Sequence, residues 1–169
     1  MASTTLPRVR SAKAGESFNI VVNWSDDTAP SDINLAGWIK TGSEVLAPLK
    51  RPGIFATAAV GEHGSMIYWG DPDGDLAIDA VHLHRLAQEQ EEFTSTELAE
   101  WQERLGISNA EAASVLGIAV STFSLYKAGS DIPAAVAIAC RASLRDPVIV
   151  QARLRPSKSI GRPRRMSLI

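Results

Sequence analysis

Cysteine is almost missing from this chain of 169 residues. The single one, Cys140, cannot close an internal disulfide, so packing and hydrogen bonds must hold the fold. It reads most simply as a small buried apolar residue. Long hydrophobic runs are missing too. The longest, Ile132 to Cys140, has nine residues and is nearly half alanine, well short of the roughly 20 that span a bilayer. The opening stretch MASTTLPRVRSAK has no apolar core of signal-peptide type, which points to the cytoplasm. No G-x-S-x-G elbow, phosphate loop or dinucleotide fingerprint occurs. Neither an enzyme nor a bound cofactor is expected.

Metal chemistry finds little support. Asp71, Asp73 and Asp75 have the spacing that opens a calcium loop, but His82 stands where a bidentate glutamate is required. His82 and His84 lie two apart, on opposite sides of a helix, and cannot clamp one zinc there. His63 sits in a loop. Trp24, Trp38 and Trp69 read as core residues of a small sheet domain.

What is present is an uneven charge. The net charge of −2 hides a first stretch, residues 1–92, with 7 Lys/Arg against 13 Asp/Glu, and a second, residues 93–169, with 10 against 6. The halves are therefore −6 and +4, which suggests two modules with different partners. Six basic residues after Val150 (Arg153, Arg155, Lys158, Arg162, Arg164, Arg165) face no acid, so the positive charge is mostly a tail.

In the first half, from Ser17 onward, Phe18, Ile20, Val22 and Trp24 fall on one face and Ser17, Asn19 and Asn23 on the other, the period-2 mark of a half-buried strand. A turn at Ser25-Asp26-Asp27, then Ile33 and Leu35, lead to a short amphipathic piece from Glu44 to Leu49 that Pro52-Gly53 closes. Residues 54–60 and 65–69 are further strand candidates joined by the loop 61–64. Asp79 is the expected N-cap of a helix through Val81, Leu83 and Leu86 that fades in the polar stretch 88–92.

The second half reads as short capped helices. Thr94 with Glu97, and Ser108 with Glu111, have capping-box spacing, while Gly106 and Gly117 supply stops. Pro133 and Asp146-Pro147 open two later helices. The expected organisation is α+β: a small antiparallel-sheet domain with short helices over 1–90, an all-α domain over 91–155 and a basic tail over 156–169.

Residues 109–128 fit a 20-residue helix-turn-helix frame. Ala113 is the small residue at its fifth place, Gly117 the turn glycine at its ninth, and Ala112, Leu116, Ile118, Phe123 and Tyr126 the apolar set. Close approach at Ala113, positive φ at Gly117 and the apolar set together hold an interhelical angle that lets one helix enter a major groove. With Tyr126-Lys127-Ala128-Gly129-Ser130-Asp131-Ile132-Pro133 following, residues 93–150 resemble the lambda-repressor-like (Xre/Cro) family. Carried over position by position, the resemblance implies that Asn109 contacts phosphate or base, and that Ala119, Val120, Ser121, Thr122, Ser124 and Leu125 face the groove. Lys127 and the backbone around Gly129 and Ser130 would hold phosphates. None of the groove residues is Arg, Gln or Asn, the types that read purines bidentately. Direct readout would fall to Ser121, Thr122 and Ser124, and a protein-contact role for the same frame stays open.

In the tail, Gly161-Arg162-Pro163-Arg164-Arg165 looks like an AT-hook core, for which Arg162, Arg164 and Arg165 would enter an A·T minor groove; a solvated terminus is the alternative. The first half, through Ile67-Tyr68-Trp69, Gly74-Asp75-Leu76 and the segment 79–86, resembles the bacterial family called domain of unknown function 2442. That family occurs alone or ahead of an Xre-type domain, and its small members look like toxin–antitoxin operon partners. The combined expectation is a DNA-binding transcriptional regulator with a partner- or ligand-sensing first domain. The alternative is an antitoxin-like interaction module. The apolar circumference of the helix from Pro133 to Ala142 suggests a homodimer.

Overall fold

The computed structural model describes residues 6–155, and the chain divides into two compact units between Glu91 and Glu92. The first unit is built on two three-stranded antiparallel sheets. One has the order β1 (Val9–Ala14), β2 (Asn19–Trp24), β3 (Ser31–Asn34). Central β2 buries Ile20, Val22 and Trp24 while Val21 and Asn23 turn away, and Ile20 pairs with Ile33 across the ladder. The other sheet orders β4 (Ala58–Val60), β5 (Met66–Trp69) and β6 (Ala77–Asp79), with Ile67 and Trp69 buried from its central strand.

Helix α3 (Ala80–Gln90) leaves β6 directly, the Asp79 side chain accepting from the His82 amide at its first turn. Its Leu83 and Ala87 face the core. At its far end the Gln90 side chain acts as a strand partner: Nε2 donates to the Asn34 carbonyl and Oε1 accepts from the Asn34 amide, each at 2.8 Å. An edge residue of β3 is thereby satisfied, which blunts that edge against foreign pairing.

Several elements differ from expectation. The strand expected from Ser17 begins at Asn19, because Ser17 (φ 54°) and Phe18 (φ 63°) form a two-residue turn closed by the Asn19 amide on the Glu16 carbonyl. Positive φ at both central residues suits the twist of a hairpin. The turn lacks the usual glycine or asparagine, and Phe18 instead gains an edge-on contact with Phe55 at 5.5 Å. The first strand, with the weakly patterned sequence VRSAKA, carries no apolar alternation to announce it. Helix α1 (Ala36–Thr41) likewise has no mark in the residue pattern. Glu44–Lys50 forms a 3-10 helix, and Pro52 opens a further turn, α2 (Pro52–Phe55), instead of closing the segment. Ile54 and Phe55 are therefore helical, since proline at a first helical position is pre-set for the helix. Only residues 58–60 of the expected strand remain extended. Within the loop after β4, Gly64 adopts φ +68°, and a Cβ there would run into the Val9 carbonyl.

Among the described residues the regular structure of the second unit is all helix: α4 (Ser95–Leu105), α5 (Asn109–Leu116), α6 (Val120–Lys127), α7 (Ala134–Arg145) and α8 (Pro147–Arg153). Both capping boxes form in full, Thr94 with Glu97 and Ser108 with Glu111. The core gathers Leu98, Trp101, Ala112, Ala113, Val115, Phe123 and Cys140. Trp101 Nε1 donates to Ser143 Oγ at 2.9 Å, and that hydroxyl donates to the Cys140 carbonyl at 2.8 Å. This buried relay ties α4 to α7 with its polar atoms partnered. Burial pushes the Cys140 thiol up to about 12, against a smaller opposing effect of Arg141, so the thiol stays protonated and unreactive at neutral pH. Replacing Ser108 by alanine is expected to cost the unit about 1 kcal/mol, seen as a lower denaturation midpoint with an unchanged slope.

Candidate nucleic-acid interface

Helices α5 and α6 are joined by Gly117-Ile118-Ala119. Gly117 takes φ 70°, and its amide reaches back to the Ala113 and Ser114 carbonyls while the Ile118 amide bonds to Ala113. That pattern ends α5 within one residue and sends the chain into α6. Of the apolar frame, Ala112, Ala113 and Phe123 are buried, while Leu116, Ile118 and Tyr126 are half-buried against the same core. Val115, outside the frame, is buried as well.

With Phe123 inward, the opposite side of α6 is bare. Val120, Ser121, Ser124 and Leu125 are exposed there and Thr122 is half-buried, a contiguous strip because residues three and four apart share a helix face. Ala119 is the N-cap and makes no side-chain hydrogen bond, so the backbone donors of the first turn of α6 have no side-chain acceptor among the described residues. The starts of α4, α5 and α8 are each capped by a side chain, whereas that of α7, at Pro133, is like α6 in having none.

Two expected contacts are altered by their surroundings. The Ser124 hydroxyl donates to the Val120 carbonyl at 3.0 Å, leaving it only as an acceptor toward a ligand. The amides of Gly129 and Ser130, expected to hold phosphate, instead bond to the Tyr126 and Leu125 carbonyls as the helix closes. Four orphan carbonyls end any helix, and these amides are the nearest donors.

Asn109 and Lys127 are brought together by a residue that sequence reasoning missed. Gln102 on α4 donates through Nε2 to Asn109 Oδ1 and to the Ile107 carbonyl, each at 2.9 Å, and accepts at Oε1 from Lys127 Nζ at 2.8 Å. Its amide thus fixes Asn109 with the oxygen turned inward and the NH2 outward. Lys127 also lies 5.9 Å from the Phe123 ring centroid, and an ammonium has further donors to offer. Nothing in the local sequence marks Gln102: Ile107 and Asn109 follow just after α4, but Lys127, which completes the arrangement, stands 25 positions away.

The charge of this surface is modest. Residues 92–155 hold six basic and seven acidic side chains, whereas residues 156–169 hold four basic and none acidic. Arg162, Arg164 and Arg165, and with them the AT-hook reading, lie outside the described residues. Arg153 and Arg155 are exposed, and the Arg153 carbonyl accepts from Ser114 Oγ at 3.0 Å, which fastens the end of α8 to α5.

In the first unit, Trp24 and Trp69 are buried, and their indole N–H groups donate to Ser31 Oγ and the Phe55 carbonyl. His84 meets Trp24 and His82 meets Trp38, both edge-on, as opposite sides of one helix require. Asp71 Oδ1 accepts from the Asp73 amide within a turn. Among the described residues no group of three or more His, Cys, Asp or Glu is placed to hold a metal ion, and no helix is long and apolar enough to cross a membrane.

No family model matches the chain, and no curated protein matches it significantly. Among solved structures it is similar to a protein of Nitrosomonas europaea ATCC 19718 named as a candidate DNA-binding protein, at 22% identity and a TM-score of 0.45, over 85% of this chain and 90% of that one.

Proposed function

We propose that the second unit is a helix-turn-helix module of the lambda-repressor-like kind that binds duplex DNA through the outer face of α6. The observation that carries this reading is the bare strip Val120, Ser121, Ser124 and Leu125 beside an N-terminus that no side chain caps. Uncapped amides at a helix start attract a phosphate or another acceptor, and the strip offers hydroxyl and methyl contacts to base edges. Asn109 and Lys127, held by Gln102, supply backbone contacts on one flank. The first unit, acidic in net charge, receives a partner or ligand, and the protein acts as a regulator without enzymatic chemistry.

A homodimer belongs to this proposal. Ile138 on α7 and Val148 on α8 are 57% and 62% exposed, and paired half-sites call for a two-fold symmetric reader. Duplex selection by the full-length protein, followed by titration of the selected and a scrambled site, tests the reading. Ser121→Asp, at an exposed position, is expected to weaken the selected site by on the order of tenfold or more through repulsion of phosphate. Light scattering at micromolar concentration is expected to give twice the chain mass. An antitoxin-like protein-contact role is favoured by the exposure of Val120 and Leu125, 47% and 59%. Failure of any duplex to bind at low salt would select it.

A further inference from the structure

The first unit carries a cleft of about 730 Å3 between the Glu44–Lys50 turn, α2 and the end of β5. This lies within the usual range of small-molecule sites, roughly 300 to 1,000 Å3. Its walls are largely apolar, formed by Val45, Pro48, Ile54 and Leu76 with Trp69. Val45 is exposed although large and apolar.

The polar groups in the cleft are one-sided. Glu44, Asp71 and Asp75 line it, and no Lys, Arg or His does so among the described residues. The side-chain donors it contains are already committed: Trp69 Nε1 donates to the Phe55 carbonyl and Thr57 Oγ1 to the Ile54 carbonyl. Asp71 accepts from the turn amide of Asp73, whereas the carboxylates of Glu44 and Asp75 have no partner among the described residues. The lining therefore favours a ligand that brings donors and positive charge over a neutral one, and disfavours an anion, which would meet three carboxylates.

We infer that this cleft binds a small organic cation, a protonated amine on an aryl or alkyl body. The body lies against Val45, Ile54 and Leu76, and the ammonium lies between Glu44 and Asp75. The inference does not depend on DNA binding by the second unit, and its test contains no DNA.

The test is an amide-resolved NMR titration of the full-length protein with 4-phenylbutylammonium, 4-phenylbutan-1-ol and 4-phenylbutyrate at low salt. The ammonium is expected to give saturable shifts at Gly53, Gly70 and Gly74, and to bind about tenfold or more tighter than the carboxylate. The double variant Glu44→Gln/Asp75→Asn, at exposed positions, is expected to lose about three- to tenfold in ammonium affinity while binding the alcohol unchanged. Val45→Ser is expected to weaken both. Absence of saturable shifts at these glycines, or equal affinity for the carboxylate, overturns the inference.

Discussion

Replacing Gly117 by valine is expected to lower the melting temperature of the helical unit by on the order of 10 to 20 °C, while residues 6–91 keep their hydrogen-exchange protection. Gly117 stands at φ +70°, and the nearest atom to a Cβ built there is an Arg153 guanidinium nitrogen at 4.0 Å. Space is therefore available, and the penalty is conformational. A β-branched residue in the left-handed region costs about 2 to 3 kcal/mol, a large share of the roughly 3 to 10 kcal/mol that a unit of this size holds. Asparagine should cost least and alanine an intermediate amount, because asparagine visits this region readily. A reversed order would mean that packing, not φ, decides the effect. Simultaneous loss of protection on both sides of Glu91 would mean that the units unfold as one cooperative body.

Removing residues 156–169 is expected to weaken binding to every duplex and to lower the slope of log affinity against log salt by up to about 3 to 4, at roughly 0.9 for each phosphate no longer neutralised. That range follows from the four basic side chains in the segment, set against a unit of six basic and seven acidic residues. Sequence preference should survive the cut, because the proposal places it on α6. The cut belongs after Arg155 and not after Val150. Val150 and Leu154 pack on the helical core, and Ser114 Oγ holds the Arg153 carbonyl. A shorter chain would confound missing charge with missing packing. Salt titration of one selected and one scrambled site reads both quantities, and an unchanged slope would make the tail a bystander.

Both capping boxes, the left-handed glycines Gly106 and Gly117 and the buried frame residues Ala112, Ala113 and Phe123 were legible in the amino-acid order. Their causes are local. A hydroxyl three residues before a glutamate, or a glycine after an apolar turn, acts within one turn of helix whatever surrounds it. The alternation along residues 20–24 was legible for the same reason. The turn at Ser17-Phe18 was not, because Phe18 holds its positive φ beside Phe55, 37 positions away in the chain. The strand Val9–Ala14 was not either, since its partner's register and not its own pattern makes it a strand.

The candidate interface divides along the same line. Sequence alone determined which residues of α6 avoid the core, because Phe123 and the frame around it leave only one face outward. Tertiary structure decided what those residues and their neighbours can still offer. Gln102 claims Asn109 Oδ1 and one donor of Lys127, Ser124 turns its proton to Val120, and the amides of Gly129 and Ser130 close the helix. The cleft beside Trp69 was invisible in the order of residues, since its walls come from three segments that meet only when the second sheet forms. A helix face follows from the period of one segment, whereas a donor's remaining capacity or a cavity's lining depends on which other segments arrive beside it.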